Sequence, residues 1–379
     1  MIYLDNAATT KPYEEVIDVM SDVMRNHWGN PSAAYALGDD ARRIIEDVRD
    51  QIAEDINASP DEIIFTSGAC EANSLAIDGF LKMDSEYNLC VTTKIEHASI
   101  QKADTIIYPC LYNDNFGFVH LSDIAFHGHH PGLDGCLVSV AAANGEVGTI
   151  QDIKTISDKV HSLGGMFHTD ATQLFPERRI DVKELGIDMM SVSAQKFNGP
   201  KGIGFLYVKN GIELAPIIYG SQEDGYRGGT YNTAAIAGMG EALKITRKLQ
   251  KLGSVECLNS LRNRLLGKLM QTPGVTLNGP PVGNNRLVNN INITIDGVNA
   301  EQLVTLCSLN EIYISKGSAC QSYDPKPSHV LKAIGLTNEQ AFNTIRITLD
   351  TFNTEEEIDM AGEIITKLIN NIRNEGEEK

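Results

Sequence analysis

Ser193-Ala194-Gln195-Lys196 follows a short apolar run, Asp188 to Val192, that reads as a buried strand. Upstream, His168-Thr169-Asp170-Ala171-Thr172-Gln173 overlaps the end of a second such run, Met166 to Thr169, and places an acid just after it. Lys196 lies 26 positions after Asp170, room for one crossover connection in an α/β sheet. A lysine that forms a Schiff base and an acid that holds a pyridinium nitrogen are what pyridoxal phosphate requires of a protein. An isolated pair of this kind is more often a surface lysine and a strand-end aspartate, so the surrounding segments carry the reading.

Working outward, short apolar runs alternate with longer amphipathic ones. Ile44, Ile45, Val48, Ile52 and Ile56 recur at helical spacing. Glu62 to Thr66 reads as a strand, Ser67-Gly68 as a turn and Ala69 to Lys82 as a helix. Leu89 to Thr93, Cys136 to Val140 and Ile203 to Val208 are further strands, with Ile153 to Leu163 a helix among them. This alternation predicts a mainly parallel sheet covered on both faces. Ala234 to Lys251 predicts a long helix that crosses to a second unit, where Asn290 to Ile295 is a strand and Glu301 to Leu309 a helix. Thr354 to Glu357 is a capping-box pattern opening the last helix, and the polar tail from Asn374 is expected to fray.

The chain has 379 residues with 42% apolar content, beyond one typical core, which predicts two domains. A net charge of −18 speaks against a nonspecific nucleic-acid binder, which needs a basic face. No run approaches the roughly 20 apolar residues that span a bilayer, and the start lacks a secretory pattern. The seven cysteines are scattered, odd in number and without CxxC spacing, as expected of reduced thiols in a cytoplasmic protein that holds no metal. His127-Gly128-His129-His130 reads as a solvated loop, and Phe116-Gly117-Phe118 as a turn with buried flanks. Ser67-Gly68-Ala69-Cys70 lies where a strand turns into a helix, and free backbone N–H groups there suit a phosphate.

Several blocks together resemble the cysteine desulfurases (NifS/IscS-like) of the class V aminotransferase group. They run from Tyr3-Leu4-Asp5-Asn6-Ala7-Ala8-Thr9-Thr10, through Phe65-Thr66-Ser67-Gly68-Ala69, Glu96-His97-Ala98-Ser99, Glu146-Val147-Gly148-Thr149 and Arg227-Gly228-Gly229-Thr230, to Gly317-Ser318-Ala319-Cys320 and Arg346-Ile347-Thr348-Leu349. The resemblance implies fold type I of the pyridoxal phosphate transferases: a large, mainly parallel-sheet domain over 12–250, and a smaller α/β domain from 1–11 and 251–379 carrying a mobile loop with Cys320. It implies that Lys196, Cys320 and His97 are catalytic. It assigns Ala69, Cys70, Asp170, Gln173, Ser193, Gln195 and Thr230 to the cofactor, Gln173 at its phenolic oxygen and Thr230 at the phosphate of the neighbouring subunit of a homodimer. Asn30, Asn144 and Arg346 are the implied substrate ligands, the guanidinium pairing with a carboxylate through two hydrogen bonds.

Three positions depart from the family pattern. Cys70 stands for threonine, Gln195 for histidine and Gly145 for asparagine. A thiol is a weak donor, an amide carries no proton, and a glycine is expected to widen the pocket, with Asn144 partly substituting. Lys316 is expected to favour the Cys320 thiolate, and the other six cysteines to be mostly packing residues. The function implied is conversion of L-cysteine to L-alanine with sulfur passed to Cys320 and on to an acceptor protein such as an iron–sulfur scaffold. The departures keep a related C–S lyase or aminotransferase, and a low-turnover assembly scaffold, as alternatives.

Overall fold

The computed structural model describes residues 1–83, 89–101, 107–111, 114–122, 135–317 and 326–377, of which 107–111, 376 and 377 as backbone alone. The chain opens on a two-residue strand, β1 (Ile2–Tyr3), followed by the helices Glu14–Asn26 and Ala36–Ile56. In the second helix the apolar spacing puts Ala41, Ile45, Val48, Ile52 and Ile56 on one buried face, and left-handed Asn57 stops it.

Seven strands make the main sheet among the described residues: β2 (Ile63–Thr66), β3 (Leu89–Thr93), β4 (Ile107–Leu111), β5 (Cys136–Ser139), β6 (Met166–Asp170), β7 (Met189–Ser193) and β8 (Gly204–Val208). Their order is β2-β8-β7-β6-β5-β3-β4. Pairings from β4 to β7 are parallel, and β8 runs antiparallel to both β2 and β7. The period-two alternation sorts side chains between two apolar layers. Ile63, Phe65, Val138, Met190, Val192, Phe205 and Tyr207 face the layer of the helices Glu14–Asn26, Ala36–Ile56, Ile153–Ser162 and Thr233–Lys251. Ile64, Cys90, Leu137, Met189, Leu206 and Val208 face the helix Ala69–Leu81 on the other side.

The second core is built on β9 (Val275–Leu277), β10 (Asn290–Ile295), β11 (Ile312–Tyr313), β12 (Ser315–Lys316) and β13 (Thr344–Thr348). Four of these form an antiparallel sheet, β12-β13-β10-β9, while β1 pairs in parallel with β11. Ile2 and Leu4 are buried with Ile291, Ile293, Ile295, Ile345 and Ile347 against the helices Ser254–Leu269, Ala300–Leu309 and Glu355–Glu377. Full burial of each such side chain is worth about 1.5–3 kcal/mol.

Four expectations need correction. The helix predicted at Ala234 to Lys251 spans Thr233–Lys251 and does not cross to the second core. Its apolar face, with Ala235, Ile236, Met239 and Leu243, belongs to the first. The last helix does not fray at Asn374: buried Ile365, Ile369 and Ile372 keep it docked, and the backbone stays helical to Glu377. Its N-terminus carries the expected reciprocal pair, Thr354 Oγ1 accepting from Glu357 N–H (3.2 Å) and Glu357 Oε2 from Thr354 N–H (3.3 Å). Phe116-Gly117-Phe118 is a turn, organised by Asp114 Oδ1 accepting the N–H groups of Phe116 and Phe118, but Phe116 is exposed. Of the thiols expected to pack, Cys90, Cys136 and Cys307 are buried, whereas Cys70 and Cys257 are exposed, Cys257 because its helix turns Leu261 and Leu265 inward instead. His127 to His130 lie outside the described residues. No described helix is long and apolar enough to cross a membrane, and no cluster of metal-ligating side chains occurs among the described residues.

Candidate active site

Two glycines bring the helix Ala69–Leu81 against the end of β7. Gly68 has φ of 143°, in the region open to glycine. A Cβ on Gly204 would lie 2.3 Å from the Val192 carbonyl oxygen and 2.8 Å from Gly68 Cα. Ser193 Oγ consequently flanks the helix start, 3.3 Å from where a Gly68 Cβ would stand. Glu71, paired with Arg227 at 2.7 Å, accepts the Ser67 N–H, while the first-turn N–H groups, those of Ala69 and Cys70 included, have no partner within the helix. Ser67, Gly68, Ala69, Cys70, Ser193 and Gln195 line one end of a cavity of about 530 Å³. A hydrogen bond with His97 pulls the Cys70 thiol below its usual pKa, against the opposing effect of partial burial.

Asp170 closes β6 and points its carboxylate into the same cavity. Asn73 Nδ2 donates to it at 2.8 Å and the Thr172 N–H at 3.0 Å. Both donors are neutral, so neither bond offsets its charge. Behind it, fully buried His168 sits between the hydroxyls of Ser139 (2.8 Å) and Ser191 (2.9 Å). Burial lowers the His168 pKa and keeps the ring neutral against the pull of Asp170.

Lys196 ends the turn after β7, and its Nζ donates to the carbonyl oxygens of Ala7 and Ala8, both at 2.6 Å. That N-terminal segment is itself fixed: Tyr3 OH donates to Thr9 O (2.9 Å), Asn6 Nδ2 to Thr348 O (2.9 Å) and Ala7 N–H to Thr348 Oγ1 (2.9 Å). Nothing in the composition marks these carbonyls as ligands; the available signal is the small pair Ala7-Ala8 inside the family-like block from Tyr3 to Thr10, where backbone can approach closely. Asn73 is likewise a neighbour of Asp170 without a motif of its own, whereas His168 and Thr172 lie in the stretch that carries Asp170. His97 is exposed at the cavity wall, with Nδ1 accepting the Ser99 N–H at 3.2 Å, which leaves the ring hydrogen of the neutral form on Nε2.

The remaining candidates divide. Arg346 lines the cavity, but its Nη2 is paired with Asp5 at 2.7 Å, and its Nε is buried without a hydrogen-bond partner. Asn144 lines the cavity too, yet its amide is spent on backbone: Nδ2 donates to Ile95 O (2.8 Å), and Oδ1 accepts from the N–H groups of Glu146 (2.9 Å) and Val147 (3.0 Å). Its oxygen is thus committed, and the second Nδ2 hydrogen is what it has left with which to stand in for a side chain at 145. Asn30 is exposed and away from the cavity wall, its Oδ1 accepting the Ser32 N–H at 3.0 Å. Thr230 lines a separate cavity of about 160 Å³ with Phe65, Glu223 and Arg227. Lys316 pairs with Glu301 at 3.8 Å, which answers its charge locally. Cys320 lies outside the described residues.

Gly145 does not widen the pocket. A Cβ there would lie 2.6 Å from Gln173 Cδ and 2.7 Å from its Nε2, so the Gln173 side chain already fills the space. In that position Gln173 Nε2 donates to Ala7 O at 3.1 Å, not into the cavity. Gly145→Asn will therefore destabilise the protein by about 1–3 kcal/mol, read as a lowered denaturation midpoint, and adding Gln173→Ala will recover most of the loss. An unshifted midpoint in the single variant would show that Gln173 swings aside without cost.

The donor set suits pyridoxal phosphate: an anion cradle at a helix start, a carboxylate with only neutral donors, and a primary amine in one cavity. The aminotransferase class-V family model matches residues 2–360. The chain is 39% identical over 379 aligned positions to "Cysteine desulfurase IscS" of Clostridium botulinum (strain ATCC 19397), spanning 97% of this chain and 94% of that one. It is 37% identical to "Cysteine desulfurase IscS 1" of Archaeoglobus fulgidus, spanning 98% of each. Among solved structures, a NifS-like protein from Rickettsia africae superposes with a TM-score of 0.86 at 30% identity over 98% of this chain and 99% of that one. SspA in complex with cysteine superposes with a TM-score of 0.79 at 32% identity over 93% and 100%. The chain belongs to the aminotransferase class-V family of pyridoxal phosphate enzymes with fold type I, and within it to the cysteine desulfurases.

Proposed function

We propose that the protein converts L-cysteine to L-alanine and passes the sulfur to Cys320. The observation that carries this reading is the convergence of Lys196, Asp170 and the start of the helix Ala69–Leu81 on one cavity. When bound, the cofactor draws electrons from the substrate's α-carbon. The N–H groups of Ala69 and Cys70, with Ser193 Oγ and the Gln195 amide, hold its phosphate. Asp170 holds a proton on its ring nitrogen, and His97 covers the ring. Gln173 reaches the phenolic oxygen by giving up Ala7 O. Lys196 Nζ, freed from the Ala7 and Ala8 carbonyls, would be the amine that holds the cofactor and the base that moves the substrate's α-proton. Arg346 takes the substrate carboxylate by exchanging Asp5 for it. Gln195 contributes binding and no proton transfer.

Thr230 serves the phosphate of a second copy of the chain. Its position outside the large cavity supports that role, and with it a homodimer. Large-domain residues 12–250 supply the cofactor site, and 1–11 with 251–379 supply Arg346, Asp5 and Cys320. The protein acts in the cytoplasm and hands its sulfur to an acceptor protein such as an iron–sulfur scaffold. Asn144 meets substrate through the Nδ2 hydrogen its present bonds leave over, and Asn30 only by moving toward the cavity.

Cysteine given to the purified holoenzyme should yield alanine and sulfide in equal amounts in the presence of a thiol reductant. A second reading, a C–S lyase, is favoured by the departures at Cys70, Gly145 and Gln195. It yields sulfide without alanine, and that product pattern would displace the first reading.

A further inference from the structure

One nitrogen of a buried amide joins two residues of the cavity wall. Asn73, fully buried on the helix Ala69–Leu81, donates from Nδ2 to Asp170 Oδ2 at 2.8 Å and to Ser99 Oγ at 3.0 Å. Ser99 Oγ lies 2.8 Å from His97 Nδ1, and the Ser99 N–H donates to the same nitrogen at 3.2 Å. Asp170 and His97 line the large cavity, whereas Asn73 and Ser99 do not. Asn73 Oδ1 is buried and accepts no hydrogen bond from the described residues.

The direction of each bond follows from the first member. An ionised carboxylate only accepts, so Asn73 must turn its NH2 group toward Asp170. The second amide hydrogen then falls to Ser99 Oγ, and the hydroxyl hydrogen is left for His97 Nδ1. Nδ1 thus faces two donors of one residue, and the ring hydrogen stands on Nε2. The stranded Asn73 Oδ1 marks the constraint. A buried acceptor goes unpaired because the flipped amide would set it against Asp170 Oδ2, another acceptor.

We propose that Asn73 and Ser99 are positioning residues that fix the tautomer of His97 and link it to the charge of Asp170. This rests on the reading of His97 and Asp170 as residues that hold the cofactor ring. His97 then meets a bound molecule as a hydrogen donor, through Nε2, and the work of a base falls to Lys196. The Cys70 thiol also bears on this ring, and the His97 hydrogen bond that lowers its pKa calls for a donor there. Two cavity residues that come from different strands' ends are therefore set by one amide that never touches substrate.

The test reads the imidazole directly, by proton–nitrogen correlation spectra of histidine-labelled, pyridoxal phosphate-loaded protein. It is run at a pH of about 8, above the usual imidazole range, with His97→Gln locating the His97 signals. The wild type should show one neutral tautomer, with its hydrogen on Nε2. Ser99→Ala lacks the hydroxyl and should show both tautomers, while Ser99→Thr, which keeps it, should show the wild-type pattern. Asn73→Asp matches asparagine in size but draws the Ser99 hydroxyl hydrogen to itself, and should give the same mixture as Ser99→Ala. In both of these variants kcat for L-cysteine should fall about tenfold while KM stays within about twofold. Ser99 is only partly buried, so its alanine variant decides the matter even where Asn73→Asp fails to fold. A mixture in the wild type or in Ser99→Thr, a single Nε2–H tautomer in Ser99→Ala, or an unchanged kcat in Ser99→Ala would each overturn the proposal. The spectra need no turnover, so a wild type with the expected tautomer that makes no alanine from L-cysteine would sink the functional reading alone.

Discussion

Lys196→Ala will purify without covalently attached pyridoxal phosphate, and its desulfuration of L-cysteine will fall on the order of 10³-fold or more. In the proposed mechanism, alanine removes both the amine that carries the cofactor and the base that moves the α-proton. Borohydride reduction of the wild type, followed by peptide mapping, should place the cofactor on Lys196; a reduced adduct on another lysine would refute the assignment. The substitution also takes Lys196 Nζ, at 2.6 Å, from the Ala8 carbonyl, while Ala7 O keeps the Gln173 amide at 3.1 Å. That costs about 1–3 kcal/mol of stability unless water replaces the amine. The loss of activity must therefore be read on protein shown to be folded, and reversible binding of added cofactor by the variant supplies that check, because the phosphate cradle and Asp170 remain.

Cys320→Ser will separate the two halves of the reaction. Binding of cofactor and the spectral response to L-cysteine require Lys196 and Asp170, and should persist. Sulfur removal requires a thiolate that attacks the substrate sulfur: the sulfur–sulfur bond forms as the carbon–sulfur bond breaks, and its electron pair returns to the carbon skeleton. A serine hydroxyl is not ionised at neutral pH, so alanine and sulfide production should drop by about 10³-fold or more, with no persulfide on the protein. Serine is nearly isosteric, which removes misfolding as an explanation. Wild-type rates in this variant would mean that sulfide leaves without a protein-bound intermediate.

Much of this molecule is readable from local pattern because its strands are short, apolar and punctuated. β3 and β10 match their expected limits residue for residue, since Leu89 to Thr93 and Asn290 to Ile295 are fully or nearly buried runs with polar breaks on both sides. β11 and β12 have only two residues each, too few for any periodicity to show, and they form because distant partners complete them. The same division runs through the site. Asp170, Ser193 and Lys196 are visible because chemistry needs those side chains at strand ends. The carbonyls of Ala7 and Ala8 are not, because backbone ligands leave no residue type to recognise. The direction of Gln173 is a packing outcome: with no Cβ at Gly145, the amide folds into the vacant volume and takes Ala7 O. The extra charge partner of Arg346, Asp5, comes from the opposite end of the chain and has no spacing to betray it.

The N-terminal segment also dictates the order in which the molecule can be completed. β1 pairs with Ile312 and Tyr313, Asn6 bonds to Thr348 across 342 residues, and Ala7 and Ala8 then reach Lys196. Such remote pairings bear the largest loop-closure entropy and come late in folding. The large sheet can assemble, with Asp170 and the helix start in place, while the wall that holds the lysine is still missing. A ribosome-bound chain that has not yet reached Thr348 has a cradle but lacks the wall that holds the lysine, so the cofactor pocket matures only once that strand is made.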